Sequence, residues 1–171
     1  MVDILKRVSL FHGLDDTQLS KIVEYLEEKK YEKGEIIFEE GSPGNSLFII
    51  NRGRVEVRLK RGDLVLVLAE LDDGSFFGEL SLISDAPRSA TCTALKDTTL
   101  YLLRREDFWK IVEKDPRIGV TVLKNLSGEL AERIRETNKN LETYFLINQA
   151  IVDNEQFRKL YIAAKGKAPQ V

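Results

Sequence analysis

The 171-residue chain holds one histidine and one cysteine, and each scarcity removes a class of chemistry. A histidine-based metal centre needs two or three imidazoles, and a histidine-activated nucleophile needs its one histidine in a pocket. His12 instead precedes Gly13 beside Phe11 in an N-terminal segment, the setting of a surface or packing residue. Cys92 alone cannot close an internal disulfide. It lies in the alternating stretch Ala90-Thr91-Cys92-Thr93-Ala94, which suits a half-buried strand residue better than a reactive thiol. Long apolar runs are absent too: the longest, Leu64-Val65-Leu66-Val67-Leu68-Ala69, falls far short of the ~20 residues that span a bilayer. Met1 to Arg7 carries charges where a signal peptide needs an apolar stretch, so a cytoplasmic protein without a membrane anchor is expected.

What is present is the composition of an ordinary globular protein, 43% hydrophobic and 32% charged with a net charge of −2. A compact chain of this length buries roughly 70% of its unfolded surface, enough for a full core in one domain plus an extension.

Asp15 and Gln18 form a capping pair, and Leu19, Ile22, Val23 and Leu26 follow at helical spacing, which predicts a first helix ending near Glu28. From there to about Arg104 the pattern is short extended runs punctuated by glycine: Glu35 to Phe38, Leu47 to Asn51, Arg54 to Lys60, Leu64 to Leu71, and Thr91 to Leu103 in two pieces. Val55, Val57 and Leu59 alternate with Glu56, Arg58 and Lys60, placing one face inward and one in water. The expected class is mainly β with flanking helices: an antiparallel β jelly-roll barrel followed by a long C-terminal dimerisation helix.

Helical periodicity returns at Glu106 to Lys114. Asp115-Pro116 then stops that helix and starts another. Leu123, Leu126, Leu130, Ile134, Thr137, Leu141 and Tyr144 recur with the 3.5-residue period of a coiled coil. A helix from Pro116 to about Asn148 would be ~50 Å long, longer than a domain this small is wide. Part of its seam therefore needs another partner, and a homodimer is expected. The implied organisation is residues 1–115 as the β-barrel with its N-terminal and hinge helices, 116–148 as the dimerisation helix, and 149–171 as a short helix or disordered tail.

The informative stretch runs Phe76-Phe77-Gly78-Glu79-Leu80-Ser81-Leu82-Ile83-Ser84-Asp85-Ala86-Pro87-Arg88-Ser89-Ala90-Thr91. Gly74 and Gly78 permit close backbone approach, and a short helical turn from Gly78 would aim free N–H groups at one spot, which suits an anion. Arg88, restricted by Pro87, can offer a bidentate fork to a phosphate, and Ser89 a hydroxyl. Glu79 beside an anion is repulsive unless it has its own donor, and a ribose 2′-hydroxyl is one.

On these residues the sequence resembles the cyclic nucleotide-binding domain family. The Phe-Gly-Glu-Leu-Ser-Leu and Pro-Arg-Ser-Ala-Thr runs match that family's phosphate-binding cassette without a gap, and Lys33-Gly34-Glu35, Gly41, Phe48-Ile49-Ile50 and Gly53 match its strand signature. The resemblance implies that Glu79 binds the ribose hydroxyl, that Arg88 and Ser89 bind the cyclic phosphate, and that the amides of Gly78, Leu80 and Ala90 complete the cradle. In dimeric bacterial members a polar pair on the long helix reaches the purine, and Thr137-Asn138 falls at the matching place. One departure is Asn45, where many relatives carry an aspartate that orients the cassette arginine. The alternative for Glu79 and Arg88 is an internal salt bridge in a barrel that has lost its ligand.

The resemblance implies a non-enzymatic sensor whose regulatory ligand is cAMP or cGMP, with cAMP favoured, no cofactor and no metal. A helix-turn-helix does not fit in Gln149 to Val171, and Arg158, Lys159, Lys165 and Lys167 are too few for a nucleic-acid footprint, so this chain itself is not expected to contact DNA. Two rivals remain at this level. One is a regulatory fragment of a larger transcription factor, kinase or channel. The other is a small cupin-type barrel enzyme, which usually needs several histidines.

Overall fold

The computed structural model describes Met1–Lys165 and divides into two compact units, Met1–Leu126 and Ser127–Val171. The first unit opens with α1 (Val2–Leu5), a 3-10 turn at Ser9–Phe11 and α2 (Asp16–Val23). Eight strands follow: β1 (Glu27–Tyr31), β2 (Ile36–Phe38), β3 (Ser46–Arg52), β4 (Arg54–Arg61), β5 (Leu64–Asp72), β6 (Phe76–Phe77), β7 (Thr91–Ala94) and β8 (Thr98–Arg104). Helix α3 (Arg105–Lys114) leads into α4 (Pro116–Asp153), and the unit boundary falls within α4. The second unit also holds α5 (Glu155–Lys165). The expected tail beyond Lys165 lies outside the described residues.

The capping box forms as read: Gln18 N–H donates to the Asp15 carboxylate at 2.8 Å and Asp15 N–H to the Gln18 side chain at 3.1 Å. The helix it starts is shorter than its periodicity suggested, ending at Val23 rather than Glu28. Tyr25 and Leu26 donate three residues back in a tightening turn, and from Glu27 the backbone pairs with β8. Strand β1 was missed because Glu27-Glu28-Lys29-Lys30 shows no apolar alternation. It exists because Glu27 to Tyr31 pair with Leu102 to Thr98, and Arg104 grips Glu27 with bonds of 2.9 and 3.2 Å. Strand β6 was missed because it is two residues long.

The strands form two four-stranded antiparallel sheets, ordered β1-β8-β3-β6 and β2-β7-β4-β5, and among the described residues no ladder joins them into one closed barrel. Phe48 and Ile50 from β3, Leu100 and Leu102 from β8 and Phe77 from β6 meet Val55 and Cys92 of the other sheet in one buried cluster. Phe48 and Phe77 stack at 5.2 Å, and Phe38 tilts against both. Full burial of each such side chain contributes about 1.5–3 kcal/mol. The intervening Leu47, Ile49, Tyr101 and Leu103 are buried as well, and alternation puts them on the opposite face of their sheet, where α3 packs on β8. That is why β3 reads as a continuous apolar run.

On β4, Val55 is buried as expected, but Val57 and Leu59 are only half-buried, and Glu56 and Arg58 pair with each other at 3.1 Å instead of lying in open water. Beyond Arg58 the strand pairs with β5 alone. Leu64 to Leu68 of that edge strand are all exposed. Asp115-Pro116 breaks α3 from α4 as expected, and Lys21 holds the Asp115 carboxylate at 2.7 Å, keeping it below the usual carboxylate range. Ile118, Val122 and Leu126 bury one face of α4 at four-residue spacing; Leu123 and Leu130 are half-buried, whereas Ile134, Thr137, Leu141 and Tyr144 are exposed.

Candidate functional site: an arginine cradle between two strands

Between β6 and β7 the chain turns at Gly78, whose φ of +71° a side chain would strain, and enters a 3-10 turn at Glu79–Leu82. An added Cβ at Gly78 would lie 2.6 Å from Arg88 Nη1 and 3.1 Å from the Ser46 carbonyl. The glycine is required by conformation and by space together. From Ile83 to Pro87 the loop is exposed, and at Arg88 it returns to the interior.

Arg88 is the centre of the site. Its Nη1 donates to the Ser46 carbonyl at 3.0 Å, the Gly78 carbonyl at 3.3 Å and the Ser81 hydroxyl at 2.8 Å. The guanidinium carbon lies 4.1 Å from the centre of the Phe38 ring and 5.5 Å from that of Phe48, so two aromatic faces support the cation. Its backbone is fixed too: Arg88 N–H donates to Ser42 at 2.9 Å, and Gly41 N–H to the Arg88 carbonyl at 2.8 Å. Burial lowers its pKa, an effect that the Glu79 charge opposes. A guanidinium ordinarily titrates so far above neutrality that the group remains charged there.

The fold thus brings Gly78, Glu79, Arg88 and Ala90 to one short stretch of surface and interior. Glu79 and Ala90 are buried, while Leu80 and Ser89 are exposed. Thr137 and Asn138 lie in the second unit, both exposed, with the Thr137 hydroxyl donating to the Arg133 carbonyl one turn back at 2.8 Å. Asn45 does not take the role of an arginine-orienting carboxylate. Its side chain accepts from the Ser46 hydroxyl at 2.8 Å, and the Ser46 carbonyl and Ser81 hydroxyl receive Arg88 instead.

The contacts of Arg88 that sequence reasoning missed are those with Phe38, Gly44 and Ser46. Ser81 stood inside the informative run without an assigned part. Cys92 is fully inside, and burial pushes its thiol up to about 12. His12 is exposed and joins the fold through its backbone carbonyl, which accepts from Asn125 at 2.8 Å.

The chain is thus a two-sheet β body in which a glycine-started turn closes over a buried arginine. Residues 28–115 match the cyclic nucleotide-binding domain family, and the chain belongs to that family. It is 34% identical over 139 residues to the cyclic AMP receptor protein of Thermus thermophilus, covering 81% of this chain and 62% of that one. It is 37% identical over 140 residues to human cGMP-dependent protein kinase 2, covering 80% of this chain and 18% of the kinase. The crystal structure of the N-terminal domain of a transcriptional regulator from Streptomyces coelicolor superposes with a TM-score of 0.70 at 31% identity, over 81% of this chain and 95% of that one. The chain therefore spans 62% of the bacterial receptor and less than a fifth of the kinase. Among the described residues no helix is long and apolar enough to cross a membrane.

Proposed function

We propose that the chain is a non-enzymatic sensor that takes cAMP, with Arg88 and Ser89 on the cyclic phosphate and Glu79 on the ribose 2′-hydroxyl. The observation that carries this reading is the state of Arg88: a cation withdrawn from water, held by neutral acceptors and two rings. Desolvation of that charge is unfavourable, and an arriving phosphate offsets it with a charge-assisted bond. Nη1 is occupied by Ser46, Gly78 and Ser81, so Nε and Nη2 form the fork that receives the phosphate. The amides of Gly78, Leu80 and Ala90 complete the cradle.

In this reading residues 1–115 bind ligand, 116–148 dimerise and 149–171 form an appendage. Ligand closes the β body on α4, where Thr137 and Asn138 meet the purine. The family is a binding domain rather than a catalytic one, which supports a regulatory role. The similarity to a protein named for cyclic AMP favours cAMP, and that to a kinase named for cGMP makes the second nucleotide the proper control. Isothermal titration with cAMP, cGMP and 5′-AMP tests the proposal. cAMP is expected to bind most tightly and 5′-AMP weakest, and failure of both cyclic nucleotides at millimolar concentration would refute it.

A further inference from the structure

We propose that Arg105, the first residue of α3, is a positioning residue for this site, setting the place of Arg88 by clamping the two pieces of backbone that enclose its guanidinium. The inference rests on the reading of Arg88 as the phosphate ligand.

Arg105 reaches four acceptors from one planar head. Nε donates to the Ser81 carbonyl and Nη1 to the Asp85 carboxylate, while Nη2 donates to the Gly44 carbonyl at 3.0 Å and the Ser84 carbonyl at 2.6 Å. Its own backbone N–H donates to the Asn45 carbonyl at 2.7 Å. All of these acceptors lie in two segments, Gly44-Asn45 and Ser81 to Asp85, which are far apart in sequence and both bond to this one residue.

Gly44 and Ser81 are also among the residues that surround Arg88. The Ser81 hydroxyl accepts from Arg88 Nη1 at 2.8 Å. A Cβ added at Gly44 would come within 2.7 Å of Arg88 Nε and 2.6 Å of the Ser81 hydroxyl oxygen. Gly44 thus lies against the Nε end of the Arg88 guanidinium while the Ser81 hydroxyl receives its Nη1, and Arg105 bonds to the carbonyl of both residues. A small slip of either segment would move Arg88 relative to its phosphate, and interactions that depend on bidentate geometry are lost over such distances. The ion pair with Asp85 is a minor part of this, because that carboxylate is almost fully exposed and screened. Lysine cannot substitute, since its donors radiate from one point rather than from a rigid fork. The same helix face reinforces the clamp: Trp109, one turn on, donates its indole N–H to the Leu82 carbonyl at 3.1 Å.

Titration of the wild type, Arg105→Ala, Arg105→Lys, Arg88→Lys and the double variant Arg88→Lys/Arg105→Ala with cAMP and cGMP tests this, alongside a thermal melt of each. Arg105→Ala is expected to weaken binding at least tenfold, with Arg105→Lys recovering little of it. In the Arg88→Lys background, where the fork is already gone, the same alanine change should cost less than threefold. A purely structural role would lower the melting temperature without this dependence on Arg88. If Arg105→Ala melts too low to be titrated, Arg105→Lys carries the comparison. Binding within twofold of wild type in the folded Arg105 variants, or an equal loss with and without Arg88, would overturn the inference while leaving the sensor reading intact. A wild type that binds neither nucleotide would overturn both.

Discussion

At the scale of single residues, the site is a matter of where charge has been taken out of water. Arg88 is stabilised by carbonyl oxygens and a hydroxyl on one nitrogen and by ring faces beside it. Glu79 is a buried carboxylate in the same segment, and the proposed ligand gives it a different task. A bond to a charged acceptor contributes about 1.5–3 kcal/mol. Glu79→Ala should therefore weaken cAMP by roughly 10- to 100-fold and its 2′-deoxy analogue hardly at all. Equal losses for the two ligands, measured by titration, would remove Glu79 from the ribose.

At the scale of elements, local chemistry decides where helices begin more firmly than where they end. The reciprocal bonds of Asp15 and Gln18 satisfy N–H groups that α2 cannot satisfy itself. Asp15→Ala should cost about 1 kcal/mol, a fall in melting temperature of about 2–4 °C, with Asp15→Gly milder. An unchanged melt would show that the tertiary contacts of Leu19 and Ile22 alone hold the helix. The end of α2 was not set locally: Leu26 continues the helical spacing, but the pairing of β1 with β8 takes the backbone at Glu27. Arg105 shows the same limit. In sequence it is a charged residue at a helix start, and its role depends on carbonyls up to 61 positions away.

At the scale of the whole molecule, the exposed positions Ile134, Leu141 and Tyr144 continue the spacing that buries Leu126. A lone exposed apolar residue needs no explanation, but a run at heptad spacing on one helix does. If two copies meet there, Ile134→Lys would bring two like charges together across a two-fold axis and cost about 3–5 kcal/mol. Sedimentation should then show a wild-type dimer and a mutant monomer with an unaltered melt of the β body. A monomeric wild type would end the dimer proposal.

The family and the strand-rich middle were legible in the chain because glycine spacing, an unbroken motif and period-2 alternation are properties of neighbours in sequence. The same holds for the capping box and the Asp115-Pro116 break. Tertiary structure alone decided that the strands form two separate sheets, that Glu27-Glu28-Lys29-Lys30 is a strand, and that Ser46, Gly78 and Ser81 hold the arginine in place of a carboxylate at Asn45. The reason is physical: a backbone carbonyl has no residue identity, so the Ser46 and Gly78 carbonyls that receive Arg88 and the Gly44, Ser81 and Ser84 carbonyls that receive Arg105 leave no mark in the sequence until the chain has folded them together.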